Sequence, residues 1–304
     1  MRITATAPCR LSLFGGGTDV GEYANKYNGV CINMAINIYQ HITLGDSPNL
    51  YSYIDGSDPK FYEAFFKDMD YKPKYLHQDF DNSIHSGLGT SASLGVALTS
   101  LLSRIKGYNL SRYEIAEKAW DIEVNKIGLF GGKQDQFASA FGGFNLMKFQ
   151  GVVEVQSFPR GIAQNIADHI LLFNTGIHRK NPNLQNNLKE ISPEQKSALD
   201  ILKELANDAY HRIYGGDIKG LGRILNDTWN YKKKSNQVST PEIDEIYEKA
   251  LKAGAYGGKL CGSGQGGYMI FIADKKKHED IKKALDLKWV DFSIDWNGVM
   301  TRFI

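Results

Sequence analysis

Two long runs near the start of the chain are dense in β-forming residues, Ile3 to Leu13 and Val30 to Leu44, and both predict strands. The period then changes. Leu94, Ala97, Leu98, Leu101, Leu102 and Ile105 recur at steps of three and four, which predicts a helix with one apolar face over 91–106. Ser111 with Glu114 has the form of a capping box, and Ile115, Ala116, Ala119, Trp120 and Ile122 continue that helix. Phe144 to Phe149 and Val152 to Phe158 predict two strands around a turn at Gln150-Gly151.

The second half opens on a strand, His169 to Asn174. Ser192-Pro193-Glu194-Gln195 combines an N-cap, a proline at the first helical position and a glutamine at the third. It predicts a helix running to about Tyr214 and stopping at Gly215-Gly216. Thr240-Pro241-Glu242 starts another helix. Tyr268 to Ala273 predicts a strand, Lys275 to Leu285 a helix, and 288–303 a return to strands. The order is irregular, so the fold class expected is α+β rather than a βα alternation. A length of 304 residues suits two domains, 1–160 and 161–304, with the boundary near Pro159-Arg160-Gly161.

Composition narrows the function classes. Hydrophobic residues make up 42%, enough for a full core, while a net charge of +2 gives no reason to expect nucleic acid as a partner. Tyr231 to Gln237, with the three consecutive lysines Lys232 to Lys234, reads as the solvated end of a helix rather than a binding patch. The first residues lack the apolar stretch of a signal peptide, and no run approaches the length of a membrane span. Three scattered cysteines, Cys9, Cys31 and Cys261, fit a reducing compartment. A cytoplasmic protein without a membrane partner is expected. The oligomeric state is not legible in the sequence.

Glycine carries the chemistry. There are 31, many in clusters between patterned apolar segments. Ser86-Gly87-Leu88-Gly89-Thr90-Ser91-Ala92-Ser93 leads straight into the apolar helix. Glycines let the backbone approach a ligand, and the N–H groups at a helix start attract phosphate. An ordinary cap needs one hydroxyl, and Thr90, Ser91 and Ser93 together exceed that need. No P-loop string occurs anywhere, and a strand rather than a helix follows Gly262 to Gly267, against a dinucleotide fold. A second segment is Gly131-Gly132-Lys133-Gln134-Asp135-Gln136. With Glu123 it offers what phosphoryl transfer requires: a carboxylate for Mg²⁺, a cation, and an acceptor to orient the attacking hydroxyl. A third is Pro8 through Asp19, with Arg10 in its strand, which runs into Gly15-Gly16-Gly17 and ends on Thr18-Asp19, a tip able to bind sugar hydroxyls or simply to turn.

These segments, with Gly258 to Gly267 as a fourth, resemble the GHMP kinase superfamily over nearly the whole chain. The resemblance implies an N-terminal domain like ribosomal protein S5 domain 2, a ferredoxin-like C-terminal domain, and ATP and Mg²⁺ as cofactors. By motif position it implies that Ser86, Gly87, Leu88, Gly89, Thr90, Ser91, Ala92 and Ser93 bind ATP, and that Ser91 and Glu123 hold Mg²⁺. It implies Asp135 as the catalytic carboxylate, with Arg10 and Lys133 as catalytic cations. Gly16, Gly17, Thr18, Asp19, Gly264 and Gln265 are implied substrate contacts. Gly15 to Val20 and Gly131 to Phe144 resemble the bacterial D-glycero-D-manno-heptose 7-phosphate kinases, which phosphorylate an anomeric hydroxyl. In that subgroup Arg179 would meet the phosphate already on the sugar. Two departures stand out: prolines are missing before Ser86, and Gln265 occupies a position where glycine is typical. A kinase for another sugar, or a non-catalytic sugar sensor on the same fold, are the competing readings.

Overall fold

The computed structural model describes residues 2–45, 50–52, 58–81, 87–178, 191–235, 238–262 and 264–304. In chain order the first elements are β1 (Arg2–Phe14), α1 (Gly21–Tyr27), β2 (Gly29–Gly45), β3 (Leu50–Ser52), α2 (Pro59–Asp68) and β4 (Tyr75–Phe80). Next come α3 (Thr90–Ile105), α4 (Arg112–Asp121), a π-helical turn (Ile122–Lys126), α5 (Gln134–Phe141), β5 (Phe144–Gln150) and β6 (Val152–Ser157). The rest are α6 (Arg160–Ala167), β7 (Ile170–Asn174), α7 (Pro193–Gly215), α8 (Ile218–Ser235), α9 (Pro241–Lys252), β8 (Ala255–Leu260), β9 (Tyr268–Ala273), α10 (His278–Leu285), β10 (Lys288–Val290) and β11 (Met300–Phe303).

The capping signals do what their chemistry dictates. Ser111 accepts from the Glu114 N–H and Ser192 from that of Gln195, each with the reciprocal bond of a capping box, and Thr240 accepts from Ile243. The same kind of signal starts α2, where Asp58 caps the helix and Pro59 follows.

Two sheets organise the chain. The first has seven strands, β11-β1-β2-β4-β3, with β5 on β2 and β6 on β5. β1 and β2 pair antiparallel, with register shifts at Pro8/Cys9 and at Ser12/Phe14. Residues 9–12 thus form a short regular stretch between two irregularities, which aims alternate side chains to opposite faces. Cys9 and Leu11 enter one apolar cluster, while Arg10 and Ser12 reach α5. α3 lies on this sheet and buries Leu98, Leu101 and Leu102 completely. Each such side chain contributes about 1.5–3 kcal/mol.

The second sheet has four antiparallel strands in the order β10-β7-β9-β8, a ferredoxin-like arrangement of α and β segments. Its face and that of β1 and β2 share one apolar cluster, in which Leu11, Phe14 and Ile32 meet Leu221, Leu225, Tyr268 and Ile270. The last strand, β11, leaves the second sheet and pairs with β1. The glycine turns are thereby held against a continuous core shared by both sheets. Among the described residues, no helix is long and apolar enough to cross a membrane.

Candidate active site

The Gly87–Gly89 turn takes left-handed backbone angles, with φ of +90° at Gly87 and +73° at Gly89, a conformation that glycine adopts without strain. Gly89 caps α3, and no side chain caps the helix there. The first amides of α3 are therefore left without a side-chain partner from the cap, at a helix start of the kind that attracts anions. Ser91 is exposed and Thr90 half-buried. Ala92 is buried, and so is Ser93, whose hydroxyl turns inward to the Thr90 carbonyl at 3.1 Å and lies 3.6 Å from the Cys9 thiol. Of these hydroxyl residues, Thr90 and Ser91 are the ones that reach solvent. Ser86 lies outside the described residues.

Arg10 ties this turn to the second segment. Its backbone N–H donates to Leu88 O at 2.9 Å, and its Nη1 donates to Gly87 O at 2.8 Å. Its Nε and Nη2 donate to the two oxygens of Asp135, at 2.7 and 2.5 Å. That is a bidentate pair, and it leaves the Asp135 side chain 29% exposed. A side chain at Gly89 would begin 3.2 Å from Asp135 Oδ2, so the glycine turn and the carboxylate abut.

Glu123 sits on the π-helical turn that follows α4, a distortion that rotates it inward, and it is only 5% exposed. It accepts a short hydrogen bond from the Ser91 hydroxyl and a 2.6 Å bond from Gln136 Nε2. Burial raises its carboxyl to about 7; the bonds from Ser91 and Gln136 act in the opposite direction, and the charge of Asp135 adds to the rise. A hydroxyl and a buried carboxylate side by side at a phosphate-attracting helix start fit Mg²⁺, which takes one or two protein oxygens and completes its shell from phosphates and water. Among the described residues no cluster of three acidic, histidine or cysteine side chains offers a self-sufficient metal cage.

The glycine tip after β1 packs at the other end of this group. Thr18 is fully buried: its single hydroxyl proton is shared between Gly15 O and Val30 O, and the oxygen accepts from Val30 N–H, so it holds the tip in shape and presents nothing outward. Asp19 accepts from the N–H of Gly17 at 3.1 Å and of Gln134 at 3.3 Å. Its pKa is raised, first by burial and then by the charge of Asp135. Gly132 is required by this contact, since a Cβ there would stand 2.0 Å from Asp19 Oδ2.

The fourth segment backs the Gly87–Gly89 turn. A Cβ at Gly262 would lie 2.6 Å from Gly87 Cα, so two backbones meet with no room for a side chain. Gly264 packs equally close to Val238, and Gln265, at φ +63°, donates its N–H to Val238 O at 2.8 Å. The extra bulk of Gln265 is thus accommodated in a left-handed backbone. Gly16 and Gly17 stay at the tip beside Asp19.

Lys133, expected beside Asp135, is elsewhere. Its Nζ bonds both oxygens of Glu117, at 2.7 and 2.6 Å, and lies over the Trp120 ring. Its neighbour in sequence points inward because α5 begins there, which sends positions 133 and 135 to different sides. Arg179 lies outside the described residues. Two lysines went unread in the sequence. Lys259 is buried and donates to Ser12 O at 2.7 Å. Lys232, taken above as part of a solvated helix end, is half-buried against the Gly16 tip. Its signal was the apolar rhythm Leu221, Leu225, Trp229 of α8, which puts position 232 on the inward face.

Residues 60–143 match the model of the GHMP kinases N terminal domain, and 206–291 that of the GHMP kinases C terminal. The D-glycero-alpha-D-manno-heptose 7-phosphate kinase of Campylobacter jejuni is 34% identical, over 98% of this chain and 98% of its own. The chain belongs to the GHMP kinase superfamily. The galactokinase of Pyrococcus furiosus is 25% identical, with 93% of this chain and 92% of that protein covered. A solved D-glycero-D-manno-heptose 1-phosphate kinase from Bacteroides thetaiotaomicron superposes with a TM-score of 0.77 at 26% identity, covering 99% of each chain. As a GHMP kinase the chain is an ATP-dependent phosphotransferase, with the two-domain architecture of that superfamily.

Proposed function

We propose that this GHMP kinase is a sugar kinase that transfers the γ-phosphoryl group of ATP to the anomeric hydroxyl of a sugar phosphate. The substrate we infer is D-glycero-D-manno-heptose 7-phosphate, giving the 1,7-bisphosphate used to make nucleotide-activated heptose for surface polysaccharide. The carrying observation is the contact between the Gly87–Gly89 turn and the Arg10–Asp135 pair, which brings an anion site and an exposed carboxylate together.

In this reading the N–H groups of 87–91 cradle the ATP phosphates, with the Thr90 hydroxyl beside them. Ser91 and Glu123 would hold Mg²⁺, which offsets charge on the phosphates when bound. Arg10 fixes the Asp135 carboxylate so that its exposed edge accepts the hydrogen bond of the sugar hydroxyl. An anomeric hydroxyl is more acidic than an ordinary alcohol, so orientation carries much of the catalysis. Asp19 accepts from sugar hydroxyls at the tip, while Gly264 and Gln265 shape the opposite wall. The heptose 7-phosphate relative, similar over almost its whole length, supports the choice of substrate.

An ADP-release assay across heptose 7-phosphate, unphosphorylated heptose, mannose, galactose and fucose tests the reading. Turnover is expected to be best with heptose 7-phosphate. Best turnover with galactose or fucose would replace the substrate, and no sugar-dependent ADP release at all would favour a sensor.

A further inference from the structure

We propose that Gln136 is a positioning residue for Glu123: it holds one carboxylate oxygen and so leaves the other with Ser91, at the start of α3, for the cation that accompanies ATP. This inference rests on the reading above in which Ser91 and Glu123 hold Mg²⁺.

The first turn of α5 sends three consecutive residues to three parts of the site. Gln134 donates its main-chain N–H to Asp19 Oδ2 at 3.3 Å, and its side chain bonds Ser12. Asp135 receives the fork of Arg10. Gln136 is buried and donates from Nε2 to Glu123 Oε2 at 2.6 Å. The Ser91 hydroxyl donates to the other oxygen, Oε1. Two elements, α5 and α3, therefore hold the two oxygens of one carboxylate. The terminal torsion of a glutamate is soft, so its carboxylate turns to suit whatever holds it. Oε2 lies beside the apolar core. The place where a Gly95 side chain would begin is 3.5 Å from Oε2, and 3.0 and 3.7 Å from the rings of Phe65 and Phe61. A carboxylate oxygen keeps such a place only with a donor, and Gln136 supplies it.

Two features set this contact apart from ordinary packing. The donor is neutral. A lysine or arginine at 136 would also hold the carboxylate, but its charge would cancel the one that attracts a cation; an amide orients the group and leaves its charge in place. The second feature is the far end of the amide. Gln136 Oε1 is buried and, among the described residues, has no hydrogen-bond partner. A buried acceptor left unpaired is destabilising, so packing does not account for an amide here. What the position provides is the bond from its nitrogen. Partners of this kind orient the side chains that bind a metal, and their loss is felt in metal affinity.

Mn²⁺ binding followed by electron paramagnetic resonance, with a non-hydrolysable ATP analogue present, tests this without turnover. The proteins compared are the wild type, Gln136→Met, Gln136→Asn, Glu123→Gln and the double variant of Glu123→Gln with Gln136→Met. Gln136→Met is expected to weaken Mn²⁺ binding about 10-fold. Gln136→Asn, whose shorter arm withdraws the donor, should fall in the same direction. In the Glu123→Gln background the methionine should change Mn²⁺ affinity by less than about 2-fold, because the group it positions is already gone. In ADP-release assays the Mg²⁺ midpoint should rise in parallel, with the KM for sugar held within about 2-fold. Wild-type Mn²⁺ affinity in both Gln136 variants would overturn the proposal. So would a loss that persists undiminished in the double variant, which would mean that Gln136 acts on the fold rather than through Glu123. If Glu123→Gln itself binds Mn²⁺ as tightly as the wild type, the metal reading falls and the role of Gln136 with it. A loss in Glu123→Gln with none in Gln136→Met leaves that reading standing and removes Gln136 alone. Thermal melts show which variants fold, and Gln136→Asn, which keeps the polar amide, decides the matter should Gln136→Met not fold.

Discussion

The guanidinium of Arg10 holds both carboxylate oxygens of Asp135 while its third nitrogen holds the carbonyl of Gly87. One side chain thus sets the distance between the Gly87–Gly89 turn and the Asp135 carboxylate. Neither partner can shift without moving the other, so this pair is where positional precision in the site originates.

Asp135→Asn keeps the shape but weakens the acceptor. A loss of roughly 10²–10⁴-fold in kcat is expected, with ATP affinity little changed. Arg10→Lys cannot reproduce the fork and should also lose turnover. Single-turnover measurements with saturating ATP check both, and near-normal turnover of Asp135→Asn would remove Asp135 from the mechanism.

Glu123 predicts a pH dependence whose sign is fixed. Its carboxyl stands at about 7, above the ordinary 4.5, because it is buried. Its contribution to stability is complete below about 4.5 and is lost as pH rises through 7, on the order of 3 kcal/mol in all. The metal-free protein should therefore lose stability on this account between pH 5 and 8, and Glu123→Gln should flatten that slope. Mg²⁺ with a non-hydrolysable ATP analogue should raise Tm more at pH 8 than at pH 6, since only the carboxylate binds it. Equal shifts at the two pH values in calorimetry would exclude Glu123 as a ligand.

Lys133 pairs with Glu117 rather than with Asp135. Lys133→Ala is expected to change kcat by less than about 3-fold, and stability by no more than about 1 kcal/mol, the range of a partly exposed ion pair. A loss comparable to that of Asp135→Asn would show that Lys133 swings into the site during turnover.

Gly131 and Gly132 should respond differently to the same methyl group. A Cβ at Gly132 meets Asp19 Oδ2 at 2.0 Å, whereas one at Gly131 meets nothing within 4 Å. Gly132→Ala is expected to raise the KM for sugar and to cost about 1–3 kcal/mol, with Gly131→Ala near the wild type. Paired melts and sugar titrations decide it; indistinguishable variants would remove the close approach of Asp19 from the account.

The long strands, the helix after Gly89, the capping boxes at Ser111 and Ser192 and the glycine clusters were legible in the sequence, because each is set by local propensity, period or backbone freedom. So were Arg10, Ser91, Glu123 and Asp135 as a set, through motif residues in a recognisable order. What the sequence left open was the direction of side chains that local pattern does not govern. Lys133 turned to Glu117, Thr18 turned inward to three backbone groups, and Lys232 crossed from α8 to a tip more than 200 residues earlier in the chain. Those choices depend on which surfaces the two sheets bring together over their shared core, and on the π-turn that rotates Glu123 toward Ser91. Periodicity specifies which face of an element is buried; only the packing of the faces decides which charges meet.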